Sequence, residues 1–289
     1  MPLSPLDLTI TTDDIRRYHD RGVWISPALF DAQEVAALRQ EVLRICRGER
    51  DFDGLHWLSP PNYPEDSPAL RQVCNGWWIN RAMREVIKTP VIGYIGSVLM
   101  QTDEVRVWHD QILCKPGLGP AGTGEPAGNV GWHQDYAHWQ CANTANFCTA
   151  WVALQETDLS NGGMRTIVGS HHWGLCDDAA TFGEHDLAAL KAKYRQAGRD
   201  WIDEPCLLQA GQASFHHALT FHGSGPNLST APRLSFVIHM MPADCGFTQH
   251  GRHHPNADLL GPYVQEGDRF TGPYFPRIWP PVESRLHTP

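Results

Sequence analysis

No run of lysines or arginines occurs anywhere in this 289-residue chain. Its 23 basic residues are outnumbered by 32 acidic ones, giving a formal net charge of −9. Binding a polyanion requires local positive charge that displaces counterions, so neither nucleic acid nor an anionic membrane surface is expected as a partner. Long apolar runs are missing too. The most apolar stretch, Val91–Met100, contains two glycines and falls short of the roughly 18 residues that span a bilayer. The N-terminal MPLSPLDLTITTDD has neither the basic nor the apolar region of a signal peptide. Eight cysteines are present, but none forms a C-x-x-C pair or another zinc spacing. They read as buried thiols in a reducing compartment rather than as disulfides. The expectation is a cytoplasmic protein. Apolar residues make up 42% of the chain and charged ones 19%, which suits a folded core and argues against disorder.

What is present is a change of texture along the chain. Thr12 is positioned to cap a short helix running to Tyr18. Asp31 and Glu34 form a capping-box pattern ahead of Val35, Leu38, Val42 and Ile45 at helical spacing, and Gly48 ends that helix. Residues 49–80 read as an irregular surface segment, and Ala82–Met100 as one helix. From Glu104 onward the pattern alternates apolar and polar residues, as half-buried strands do. Short strand-like runs at 147–154, 164–168, 206–209, 213–217 and 233–241 are separated by glycine turns and interrupted by one helical stretch, 186–196. The tail after Phe270 is proline-rich and reads as extended over the surface. Helices followed by many short strands imply a mainly β fold with peripheral helices. No linker divides the chain. It is read as a single domain over 1–289: a helical cap and irregular segment (1–103), a β core (104–245) and a C-terminal extension (246–289).

Histidine is the commonest metal ligand, and this chain has sixteen. In the stretch WHQDYAHW (132–139) His133 and Asp135 are two residues apart, so on a strand they share a face and Gln134 points away. Alone, H-x-D is as well explained by a polar pair on an exposed strand. A second feature lies downstream in FHGSGPNLSTAPRLSF (221–236), where His222 precedes a Gly-Ser-Gly-Pro turn and Arg233 opens an apolar strand. An arginine there needs an anion, and its planar fork suits a carboxylate. Two histidines and one carboxylate on one face make the facial triad of non-haem Fe(II) oxygenases, with open positions left for other ligands. His216 and His217 compete with His222 for the distal place; the G-S-G-P context and the spacing to Arg233 favour His222.

The segments QILCKPG (111–117), WHQD (132–135), AWVALQETDLSNGGMRTIVGSHHWG (150–174) and FHGSGPNLSTAPRLSF (221–236), with the N-terminal pattern from Ile15 to Val42, resemble the phytanoyl-CoA dioxygenase family of Fe(II)/2-oxoglutarate-dependent oxygenases. Val168 departs from the proline the family often carries before G-S-H. The resemblance implies a double-stranded β-helix core (a jelly roll, cupin-like) with iron at one open end. It implies His133, Asp135 and His222 as iron ligands and catalytic centre. Arg233, helped by Ser224, would pair with the distal carboxylate of 2-oxoglutarate, and Gln111, Gln134 and Trp151 would line that pocket. The implied cofactors are Fe(II), 2-oxoglutarate as cosubstrate and O2, and the partner is a small-molecule substrate. The implied reaction is hydroxylation of an unactivated C–H bond, with 2-oxoglutarate converted to succinate and CO2. Related halogenases lack the carboxylate that Asp135 supplies, which favours hydroxylation over halogenation.

Other residues carry weaker signals. Tyr136, His138, Trp139, Trp77 and Trp78 are candidates for the substrate pocket, with core packing as the alternative. The eleven tryptophans favour an apolar or ring-bearing substrate, and the lack of a basic cluster disfavours a CoA thioester. Arg165 could meet a substrate carboxylate or a structural aspartate. His171 and His172 read as structural, and the group His250, His253 and His254 as a solvated loop rather than a second metal site. Three other readings are kept: a non-catalytic jelly-roll module binding a metal or small acid, a zinc hydrolase with the same ligands, and the same iron site producing desaturation or ring closure. The oligomeric state is left open, a homo-oligomer included.

Overall fold

The computed structural model describes residues 2–52, 69–119, 121–124, 128–195 and 199–281. Helix α1 (Thr12–Arg21) is capped by Thr11 rather than Thr12, with a reciprocal bond to Asp14. In α2 (Ala32–Cys46) the Asp31–Glu34 capping box is present as expected. The expected single helix from Ala82 is two. Helix α4 (Arg81–Val86) stops short of α5 (Pro90–Met100), because the residue before a proline is pushed out of helical geometry; Thr89 has ψ 112°. The remaining helices are α3 (Gly76–Ile79) and α6 (Leu187–Arg195).

Eleven strands are described: β1 (Val23–Ile25), β2 (Arg71–Cys74), β3 (Val105–Lys115), β4 (Val130–His133), β5 (Cys148–Ala153), β6 (Met164–Ile167), β7 (Asp203–Pro205), β8 (Ala213–His217), β9 (His222–Ser224), β10 (Arg233–Pro242) and β11 (Arg277–Trp279). The larger sheet runs β1-β8-β5-β10-β3-β11, with β2 also on β3; the smaller runs β4-β9-β6-β7. Every described pairing within these sheets is antiparallel. The mainly β, jelly-roll fold class expected from the sequence is the observed one.

Three local expectations are corrected. The region before residue 104 is not only helical and irregular: β1 joins β8 and β2 joins β3. Residues 53–68 of the expected irregular segment lie outside the described residues. The C-terminal segment does not simply lie on the surface, since β11 extends the sheet and Phe270 and Phe275 are fully buried. The strand expected at 206–209 is instead an isolated bridge at Leu208, and β7 lies just before it.

The faces of the large sheet explain where the site lies. On β10, Leu234, Phe236, Ile238 and Met240 pack with α2 and α5 in one apolar core. The alternate residues Arg233, Val237 and His239 line a cavity on the other face. Strand β3 does the same, with Ile112 and Cys114 outward and His109, Gln111 and Leu113 inward. Alternation of side chains across the pleat produces this division. A register shift between His239 and Met240 changes its phase, so Val105 and Val107 return to the outer core. A second apolar group (Leu113, Trp151, Val237 and Met164) bridges the two sheets.

Candidate metal centre

His133 ends β4, His222 begins β9, and the two are cross-strand partners. Their ring centroids are 4.1 Å apart. Each ring is fixed by its own strand. The Nδ1 of His133 lies 2.8 Å from the Gly131 carbonyl and that of His222 lies 2.9 Å from the Thr220 carbonyl. A carbonyl only accepts, so Nδ1 carries the proton in both rings and Nε2 is left with its lone pair. Both Nε2 atoms stand 3.6 Å from Oδ1 of Asp135. Gln134 is extended (φ −110°, ψ 129°), so the alternation expected for His133 and Asp135 survives although Asp135 opens a 3-10 turn. One ligand atom from each of the three residues falls within 4.8 Å of the others, and all three residues are buried. Gly131 is needed beside them, because a Cβ there would lie 2.0 Å from the Thr181 carbonyl.

The second carboxylate oxygen has different partners. His216, Thr149, His239 and His109 are successive cross-strand partners over β8, β5, β10 and β3. Thr149 Oγ1 donates to Asp135 Oδ2 at 2.9 Å. Having given its single proton there, it accepts from His239 Nδ1 at 2.8 Å. His216 Nε2 is 3.4 Å from the same oxygen. Burial alone would raise the Asp135 carboxyl, but His222, His133, His216 and His239 hold it well below the usual carboxylate range. Burial and the neighbouring His133 depress His222 well below the ordinary imidazole value. A carboxylate oxygen and two imidazole nitrogens face one point, a donor set that fits a divalent iron. His216 is thus a neighbour of Asp135, and His217 Nδ1 accepts from the backbone of Leu219; neither belongs to the group of three.

Further along the same inner faces, β10 and β3 bring Arg233 opposite Lys115. Arg233 is 3% exposed and Lys115 is fully buried. Arg233 Nη1 donates to Ser235 Oγ at 3.1 Å, its Nε has no partner, and its guanidinium lies 5.1 Å from the Trp151 ring centroid. Lys115 Nζ donates to Ser224 Oγ at 2.8 Å and to the Gly225 carbonyl. Burial and the adjacent Arg233 push Lys115 down to about 6, and burial lowers Arg233 to about 10. Among the described residues neither cation has a carboxylate partner. An unpaired buried guanidinium is costly, and a carboxylate from a ligand would relieve it and favour the charged form of Lys115. Ser224, Gln111 and Trp151 line the same cavity.

Gln134 does not. Its Nε2 donates to the Gly174 and Leu219 carbonyls at 2.9 and 2.7 Å, and its Oε1 accepts from Cys176 at 2.8 Å. With all three bonds made to backbone, it ties loops together behind the site; its expected place in the 2-oxoglutarate pocket is corrected. Lys115 was not anticipated. The available signal was its position four residues beyond Gln111, hence on the same strand face.

The cavity holds about 380 Å³, and its lining also includes His109, His138, Trp139 and His254 with Arg252 and His253. His254 is therefore not in a solvated loop: it packs on Trp108 and His109 at centroid distances of 5.3 and 5.6 Å. Trp77 and Trp78 belong to the outer core, and Tyr136 donates to the Ala142 carbonyl. Only Trp139 and Trp151 of the described tryptophans line the cavity, which removes the ground for expecting a ring-bearing substrate. Arg165 meets the structural aspartate, with two 2.8 Å bonds to Asp203.

With this geometry in place, the chain can be compared with known proteins. Residues 18–235 match the sequence profile of the family described as phytanoyl-CoA dioxygenase (PhyH). The chain belongs to the phytanoyl-CoA dioxygenase family. As a member it is a 2-oxoglutarate-dependent non-haem iron dioxygenase, with Fe(II), 2-oxoglutarate and O2 as cofactors. It is 28% identical over 233 residues to a probable alpha-ketoglutarate-dependent hypophosphite dioxygenase of Stutzerimonas stutzeri, covering 79% of this chain and 78% of that one. Two solved structures share the family fold. The non-haem alpha-ketoglutarate-dependent carbocyclase SnoK from nogalamycin biosynthesis gives a TM-score of 0.70 at 24% identity, covering 96% of this chain and 99% of that one. The epimerase SnoN, in complex with Fe3+, alpha ketoglutarate and nogalamycin RO, gives 0.70 at 23%, covering 92% and 97%. None of the described helices is long and apolar enough to cross a membrane.

Proposed function

We propose that His133, Asp135 and His222 hold the Fe(II), and that Arg233, Lys115 and Ser224 bind the distal carboxylate of 2-oxoglutarate. The protein then hydroxylates an unactivated C–H bond of a small molecule in the cytoplasm, with 2-oxoglutarate converted to succinate and CO2. The observation that carries this reading is the convergence of three buried ligand atoms on a cavity that is also lined by Arg233, a buried cation without a carboxylate partner among the described residues, and by Ser224, which Lys115 holds. A metal-binding structural module or a zinc hydrolase has no use for that second feature.

When bound, the iron and its cosubstrate supply the oxidising chemistry; the protein supplies orientation. The carbonyls of Gly131 and Thr220 keep both imidazoles in the metal-binding tautomer. Thr149 holds one oxygen of Asp135 so that the other faces the histidines. Gln111 and Trp151 line the cavity that also holds the three ligands and Arg233. The carboxylate of Asp135 fills the place a halide would need, which favours oxygen transfer. Neighbours of this fold named as a carbocyclase and an epimerase support a second reading, in which the same hydrogen abstraction ends in ring closure or desaturation.

Succinate release from purified protein with Fe(II), ascorbate and 2-oxoglutarate tests the proposal. His133→Ala and Asp135→Ala are expected to abolish it. Turnover retained in either variant contradicts the ligand assignment.

A further inference from the structure

The half of the cavity that the cosubstrate does not need has an unusual wall. In a chain of net charge −9, the only carboxylate among the described lining residues is Asp135, the metal-facing one. The same lining includes Arg252 and the imidazoles of His138, His254 and His109. His254 Nδ1 accepts from the Asn256 backbone at 3.1 Å, so its Nε2 carries the ring proton. The buried Nε2 of His138 has no hydrogen-bond partner in the structure. Unmade bonds on buried polar atoms are costly. Arg252 is exposed at the rim and has no carboxylate partner among the described residues, whereas its neighbour His253 is 3.4 Å from Asp258. The space is also small. About 380 Å³ is near the lower end of the roughly 300–1,000 Å³ typical for one drug-sized ligand, and 2-oxoglutarate takes a share.

We propose that the prime substrate is a compact molecule bearing an oxyanion, held by Arg252 at the rim and by ring N–H donors of His138 and His254. The proposal rests on the iron–2-oxoglutarate reading and adds the substrate class. A guanidinium gives the anion a charged, two-pronged partner. Imidazoles in a dry pocket add neutral donors that an apolar or cationic substrate would leave unmatched. Carboxylates and phosphorus oxyacids share this chemistry, and the test separates them.

Calorimetry on the oxygen-free Fe(II)–2-oxoglutarate protein is the experiment. One arm titrates short-chain carboxylates, a second titrates phosphite and short alkylphosphonates, and a third titrates the matching neutral amides and alcohols. At least one oxyanion is expected to bind roughly tenfold or more tightly than its neutral counterpart, and Arg252→Ala to weaken it by about tenfold or more. The arm that contains the binder names the oxyanion class. His138→Phe, which keeps the ring volume without the donors, is expected to weaken the same ligand. Neutral compounds binding as well as the oxyanions, an affinity indifferent to Arg252→Ala, or no binding in either anionic arm overturns the proposal. Binding of 2-oxoglutarate itself is measured on the same wild-type sample. Its absence would mark failure of the iron–2-oxoglutarate reading rather than of the substrate class.

Discussion

The two oxygens of Asp135 are divided between two sets of partners, and single substitutions separate their roles. Oδ1 faces His133 and His222, while Oδ2 is held by Thr149. Thr149→Val keeps the shape but removes the donor to Asp135 and the acceptor for His239. Fe(II) affinity, measured by competition with a chelator, is expected to fall about 10- to 100-fold; an unchanged affinity would contradict a positioning role for Thr149. Lys115 gives a pH-dependent test. Without an anion it titrates at about 6, so at pH 8 it is mostly neutral. A bound carboxylate favours the charged form, so 2-oxoglutarate binding takes up a proton at pH 8, and its affinity falls as pH rises above 6. Calorimetry in two buffers of different ionisation enthalpy should register up to about one proton taken up, and Lys115→Met should abolish that uptake. At this scale the sequence pointed to His133, Asp135, His222 and Arg233, because short motifs contain them. Thr149, His239 and Lys115 stayed hidden, since each meets its partner only through pairing between strands distant in sequence.

Elements with strong local signals were legible. The capping box of α2 is read directly from Asp31 and Glu34, and long β3 and β10 show their alternation. Strands of three or four residues, such as β1, β2, β9 and β11, carry too little periodicity to recognise; they exist because a neighbour offers an edge. The break between α4 and α5 needed only Pro90 to be given its full weight. Phe236 tests the division of β10 into two faces. It is fully buried, packs toward the helices and lies 6.2 Å from the Phe30 ring. Phe236→Ala is expected to lower stability by about 3–5 kcal/mol in denaturant unfolding, while the folded protein retains its Fe(II) affinity. Loss of metal binding in the folded variant would show that the two faces are not independent.

For the molecule as a whole, the fold class followed from many short strands after residue 104. The unity of the chain rests on contributions that were not legible. Strands β1 and β2 come from the first hundred residues and β11 from the last few dozen, and all join the large sheet. We propose on that basis that residues 1–289 act as one domain. The sheet presents an apolar face to α2 and α5 and a polar one to the cavity, so one architecture provides both stability and a site. What remained out of reach was the open end of the cavity. His109, His138, Arg252 and His254 come together there from separate segments, and no spacing in the sequence announces them. The central claim is that a ferrous ion held by His133, Asp135 and His222 and a diacid held by Arg233 share this cavity. Oxygen-free titration of 2-oxoglutarate into wild-type and Arg233→Ala proteins, each with and without Fe(II), tests it most directly. Tight binding only in the metal-loaded wild type, weakened about 100-fold or more by Arg233→Ala, is the predicted result; binding that ignores both the metal and Arg233 would contradict it.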